Sequence, residues 1–122
     1  MKAKVLLVDD SALARRSVRQ MLEADGYTVV EAEDGMTALE RYFLEKPDLV
    51  LLDLVMKGMN GLDVLAKLRL MDPAARIIVV SADVQHSSRE LAHGAGASAF
   101  VIKPVSRPEI LKAVADVLEV IS

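Results

Sequence analysis

Cysteine is absent from the 122 residues, which removes both a disulfide framework and any thiolate metal site. Long apolar runs are absent as well. They stop at about five residues, far short of a membrane span, and the N-terminus lacks a signal-peptide core. There is no excess of positive charge: a net charge of −3 and a pI near 5.3 give nucleic acid no footing on the bulk surface. No repeat, low-complexity tract or linker interrupts the chain. These absences leave one expected domain, residues 1–122, placed in the cytoplasm without membrane or direct nucleic-acid contact. With 52% apolar and 27% charged residues it is long enough to bury a core, and it is expected to end at its last helix.

What is present is alternation. Val5 to Val8, Leu49 to Leu52, Arg76 to Val80 and Ala99 to Ile102 are short, largely apolar and rich in β-compatible residues. All four read as strands, and the continuous run Leu49 to Leu52 as one buried on both faces. Thr28 to Ala32 is less uniformly apolar, as an edge strand should be. Helices are predicted between them, the first from Ala12 to Ala24, capped by Ser11 or Asp10. The second opens at Asp34-Gly35 and runs through Glu45 to a stop at Lys46-Pro47. Leu62 to Leu70 makes the third, ended by Asp72-Pro73. Val84 to His93 makes the fourth, with few core anchors and Gly94 as its stop. Ser106-Arg107-Pro108-Glu109 is a capping box for the fifth, Val105 stapling to Ile110. That helix runs to about Val120 on Ile110, Leu111, Val114, Val117, Leu118 and Ile121. Five strands alternating with five helices predict an α/β domain with a parallel sheet and right-handed crossovers.

In such sheets ligands bind beyond the carboxyl ends of the strands. Asp9 and Asp10 follow the first strand, Asp53 the third, Ser81 the fourth and Lys103 the fifth. Only Glu31-Ala32-Glu33 marks the end of the second. If the strand order is 2-1-3-4-5, the four polar ends are contiguous and the exception lies at the edge. Singly, Asp53 and Ser81 read as caps and Lys103 as a solvated strand-end lysine; together they make a pocket. Gly58, Asn60 and Gly61 supply a flexible turn after Asp53.

Three crowded carboxylates repel one another unless a cation sits among them. With only oxygen donors on offer the cation should be hard, and Mg²⁺ fits. Lys103 adds a compact positive charge and Ser81 a hydroxyl donor. These parts suit phosphoryl transfer to a carboxylate nucleophile, and Asp53, beyond the central strand, is the best placed.

The chain resembles the receiver domains of bacterial two-component response regulators. The resemblance is carried by Val-Leu-Leu-Val-Asp-Asp at 5 to 10, Pro-Asp-Leu-Val-Leu-Leu-Asp at 47 to 53, and Met56, Gly58 and Gly61. Ser81-Ala82, Gly94-Ala95 or Gly96-Ala97, and Lys103-Pro104 complete it. It implies a flavodoxin-like, doubly wound five-stranded sheet in the order 2-1-3-4-5 with five helices. It implies too that Asp53 accepts a phosphoryl group from a phosphohistidine on a sensor histidine kinase or phosphotransfer protein. Asp10, Asp53 and the backbone carbonyl of Val55 would hold Mg²⁺, with Asp9 acting directly or through water. Ser81 and Lys103 would contact the phosphoryl oxygens, and Phe100 matches the aromatic switch position. Lys57 stands where the family usually has proline, Ser81 replaces the commoner threonine, and Val55 and Asp83 occupy the positions that tune access of hydrolytic water.

Leu13 lies beside the core stripe of its helix and, with Pro104 and Val105, makes a candidate docking patch for the kinase. The fourth helix, fifth strand and fifth helix form the expected face for a downstream protein. The expected state is a monomer, a phosphorylation-dependent dimer being the alternative. His86 and His93 read as solvated, Gly94-Ala95-Gly96 as a helix stop, and the six methionines as core filler. An aspartyl-phosphate phosphohydrolase is the enzyme alternative, but that class has a second Asp where Val55 stands and a cap domain. A fragment of a larger regulator or hybrid kinase is the other alternative.

Overall fold

The computed structural model describes residues 2–56, 58, 60–82 and 86–119, apart from the side chains of 86–89. Strands and helices alternate along the chain. The order is β1 (Lys4–Val8), α1 (Ala12–Ala24), β2 (Thr28–Ala32), α2 (Gly35–Glu45) and β3 (Leu49–Asp53). It continues with α3 (Gly61–Met71), β4 (Ile77–Ser81), α4 (His86–Gly94), β5 (Ala99–Ile102) and α5 (Arg107–Glu119). The five strands pair in parallel in the order β2-β1-β3-β4-β5, as the resemblance implies.

Every residue of β3 and β4 is buried, which is why those segments read as unbroken apolar runs. The pleat divides them between two cores. Leu6, Val8, Val50, Leu52, Ile77 and Val79 face α2, α3 and Ala92 of α4. Val5, Leu7, Leu49, Leu51, Ile78 and Val80 face the side of α1 and α5, where Leu22, Ile110 and Val114 meet them. Truncating one of these leucines or isoleucines to alanine costs about 2–5 kcal/mol.

The helix starts are set by side-chain caps. Ser11, not Asp10, accepts from Ala14 N (3.1 Å), Asp34 from Thr37 N (2.7 Å) and Asn60 from Leu62 N (2.8 Å). At α5, Ser106 Oγ accepts from Glu109 N at 3.3 Å and donates to Glu109 Oε1 at 2.9 Å, and Val105 packs into the cluster that holds Ile110. Each cap contributes about 1 kcal/mol.

Several boundaries differ from the sequence expectation. Ser81 is the last residue of β4 rather than the first beyond it, because the ladder runs on to pair it with Ile102. Gly61 opens α3, and Gly94 closes α4 from inside. The reversal into β5 falls to Gly96 at φ +104°, a conformation that favours glycine. Lys57, Asp83, Val84, Gln85, Val120 and Ile121 lie outside the described residues.

Candidate functional site

Asp9 stands one residue past β1 and Asp53 ends β3, both on the α1/α5 side of the pleat. They are 6% and 7% exposed. Asp9 N–H donates to Ala32 O at 3.2 Å, extending the ladder and aiming its carboxylate across the strand ends. Lys103 arrives from β5 in the same way, its N–H donating to Ser81 O at 2.8 Å. Lys103 Nζ then bridges the two acids, 2.8 Å from Asp9 Oδ2 and 3.4 Å from Asp53 Oδ2. The remaining oxygens accept from main-chain N–H groups: Asp9 Oδ1 from Ser11 (2.9 Å) and Asp53 Oδ1 from Val55 (3.2 Å).

Burial raises the Asp53 pKa, and the neighbouring Asp9 charge pushes the same way. The Val55 N–H and Lys103 oppose that rise without cancelling it. Burial alone would lower Lys103, but its hydrogen bond to Asp9 and the charges of Asp53 and Asp9 outweigh it, so the ammonium is favoured. The pair is therefore asymmetric. The cation is well satisfied, and the carboxylate on the central strand is the strained partner.

Asp10 is exposed at the rim. One carboxylate oxygen each from Asp9, Asp10 and Asp53 lies within 4.8 Å of the others. Three hard, anionic oxygens at that spacing fit a small divalent cation, which typically keeps its other positions for water and phosphate. A cavity of about 230 Å³ beside the acids is lined by Asp53, Lys103, Ala14, Pro104 and Val105.

The structure thus brings together Asp9, Asp10, Asp53 and Lys103. Ser81 is fully buried at the end of β4, and the pleat turns it toward the α2–α4 side, the face on which Phe100 packs half-buried. Val55 and Pro104 are exposed, Val105 is half-buried, and Leu13 on α1 is 76% exposed. Gly61 is needed for closeness rather than for flexibility. A Cβ there would lie 2.4 Å from Leu54 Cα and 2.8 Å from Asp53 O, so only glycine lets α3 start against the loop that leaves Asp53.

Sequence reasoning missed Arg15 and Glu31. Arg15 Nη1 donates to the Asp9 carbonyl at 2.5 Å and Nε to Glu31 Oε1 at 2.9 Å, while Arg19 Nη1 reaches Glu31 Oε2 at 2.6 Å. The available signal was two arginines one helical turn apart, followed by an acid in the next strand.

Fold and site together define an α/β domain of the doubly wound class, with an acidic, lysine-bridged pocket at the carboxyl edge of a 2-1-3-4-5 sheet. The chain belongs to the response regulator receiver domain family, whose model matches residues 5–115. It is 36% identical over 118 residues to the chemotaxis protein CheY of Halobacterium salinarum, covering 97% of this chain and 98% of that one. To CheY of Bacillus subtilis it is 39% identical over 115 residues, covering 93% and 96%. Among solved structures it superposes on a CheY-like receiver domain protein from Methanospirillum hungatei with a TM-score of 0.92 at 28% identity, covering 98% and 95%. It also superposes on the CheX–CheY–BeF₃–Mg complex from Borrelia burgdorferi with a TM-score of 0.90 at 31% identity, covering 93% and 87%. No helix among the described residues is long and apolar enough to cross a membrane.

Proposed function

We propose that residues 1–122 act as one receiver domain in which Asp53 takes a phosphoryl group from a phosphohistidine on a sensor histidine kinase or phosphotransfer protein. The supporting observation is the lysine-bridged acid pocket, where Asp9, Asp10 and Asp53 offer oxygens within 4.8 Å of one another. Asp10, Asp53 and the Val55 carbonyl would hold Mg²⁺, with Asp9 direct or through water, and the ion would neutralise charge during transfer. An Asp53 oxygen attacks phosphorus, a P–O bond forms, and the P–N electrons leave with the imidazole. Lys103 hydrogen-bonds the phosphoryl oxygens, and the Ser81 hydroxyl, buried on the other face of the sheet before transfer, is drawn toward them.

The chain then works as a switch rather than a turnover enzyme. Val55 offers no acid/base group where a phosphohydrolase has its second aspartate. Leu13, Pro104 and Val105 form the docking patch beside the cavity. The downstream protein binds the face of α4, β5 and α5, where Phe100, Ile102, Lys112 and Asp116 line a groove of about 600 Å³. The chain works as a monomer, and a dimer after phosphorylation is the other outcome to test. Incubation with Mg²⁺ and a small acyl phosphate should add one hydroxylamine-labile phosphoryl group by intact mass. Equal labelling of Asp53→Asn refutes the assignment.

A further inference from the structure

We propose that Arg15 is a positioning residue: it holds the Asp9–Asp10 segment in the conformation that receives Mg²⁺, and Glu31 holds Arg15. The inference rests on the Mg²⁺ reading above and adds two residues to it. The carbonyl that Arg15 grips, 2.5 Å from Nη1, belongs to the peptide group joining Asp9 to Asp10. That group is planar, so fixing its oxygen fixes the direction in which the chain enters Asp10. The N–H of Asp9 is held separately by Ala32 O. Both peptide groups flanking Asp9 are therefore anchored, one by the sheet and one by Arg15.

Arg15 is itself held in place. Its side chain is 14% exposed, and its Nε donates to Glu31 Oε1 at 2.9 Å. Glu31 sits on β2 opposite Leu7 and accepts Arg19 at its other oxygen, and Arg19 pairs in turn with Glu23 at 3.2 Å. Burial would raise Glu31, but Arg19 and Arg15 outweigh it and keep the carboxylate ionised. Two arginines and two glutamates balance in charge, so the cluster acts by orientation rather than by adding a field at the acids. The edge strand β2 thus contributes twice, through Ala32 O on the Asp9 N–H and through Glu31 on Arg15. Residues that orient metal ligands in this way change affinity by about 10–100-fold when removed.

The test is a Mg²⁺ titration of the whole chain followed by the amide shifts of Asp10 and Asp53, which read only folded molecules. Arg15→Met should raise the Mg²⁺ Kd by about tenfold or more, and Glu31→Gln should raise it by a smaller factor. Arg15→Lys should recover only part, because an ammonium cannot reproduce the two-pronged geometry of a guanidinium. Arg69→Met is the control for a merely structural role. Arg69 clamps the carbonyls of Pro73, Ala75 and Gly96 at the opposite end of the sheet, so that variant should lose stability with unchanged Mg²⁺ affinity. If Arg15→Met and Glu31→Gln both bind within about twofold of wild type, the proposal is wrong. If Arg15→Met does not fold, Glu31→Gln decides by the same criterion. An unchanged affinity in Asp10→Asn overturns the Mg²⁺ reading itself, and this proposal with it.

Discussion

Replacing Lys103 by methionine keeps an unbranched side chain only one atom shorter and removes the cation between two buried acids. At an effective dielectric of about 20, charges separated by 2.8 and 3.4 Å attract by about 6 and 5 kcal/mol before desolvation. Burying the ammonium offsets most of that. Breaking a buried ion cluster by deleting one partner costs about 3–5 kcal/mol. The Lys103 side chain is 25% exposed, so water screens part of the loss, and about 2–3 kcal/mol is expected. The pH dependence distinguishes this mechanism from ordinary loss of packing. The folded-state pKa of Asp53 is already raised, so its contribution to stability is complete below the ordinary carboxylate range and is lost as pH rises through the raised value. Without Lys103 the rise grows and the loss extends toward neutral pH. The deficit of the variant should therefore be largest at neutral pH and shrink on mild acidification, as Asp53 takes up a proton. Mg²⁺ should restore part of it at neutral pH. Urea denaturation followed by far-UV circular dichroism, with chelator and at two pH values, measures all of this. A deficit that does not change with pH, or one below about 0.5 kcal/mol at neutral pH, would show that Lys103 is not compensating the acids.

Three further outcomes are expected. Gly61→Ala places a methyl group 2.4 Å from Leu54 Cα, so it should destabilise by about 1–3 kcal/mol or more and slow labelling of Asp53 by acyl phosphate; an unchanged midpoint and rate would show that α3 yields freely. Leu13→Asp should leave stability within about 0.5 kcal/mol but slow transfer from the cognate kinase at least about fivefold, and wild-type transfer rates would remove Leu13 from the docking patch. Beryllium fluoride with Mg²⁺ should shift amides from Asp53 through Ser81 to Phe100, which share neighbouring strands and, for the last two, one sheet face. Shifts confined to the acid pocket would rule out a switch through Phe100.

The central strands were legible because a parallel sheet covered on both faces writes itself as unbroken apolar runs, and a carboxylate ending such a run stands out. The edge strand was legible by contrast. Ser81 was misplaced by one residue because a small hydroxyl is tolerated equally as the last rung of a ladder or just beyond it. Gly61 reads locally as a loose turn, and only the packing of Leu54 and Asp53 against it shows that bulk is what it lacks. Arg15 and Glu31 each look like ordinary surface charge. Their meaning depends on a helix crossing the end of a neighbouring strand, which hydrophobic periodicity does not encode.

The lysine bridge also has a consequence for synthesis. Asp9 and Lys103 are 94 residues apart, so a ribosome makes the acids of β1 before Asp53, and Asp53 before their counter-charge. Closing so long a loop adds little entropy beyond that of a loop half its length, about 0.6 kcal/mol per doubling, so the delay is one of order rather than of energy. Until β5 docks on β4, the emerging chain carries its acids without a lysine among them. The balanced pocket is thus completed only when β5 is in place, and a chain stalled before β5 would have the acids but not the charge that steadies them.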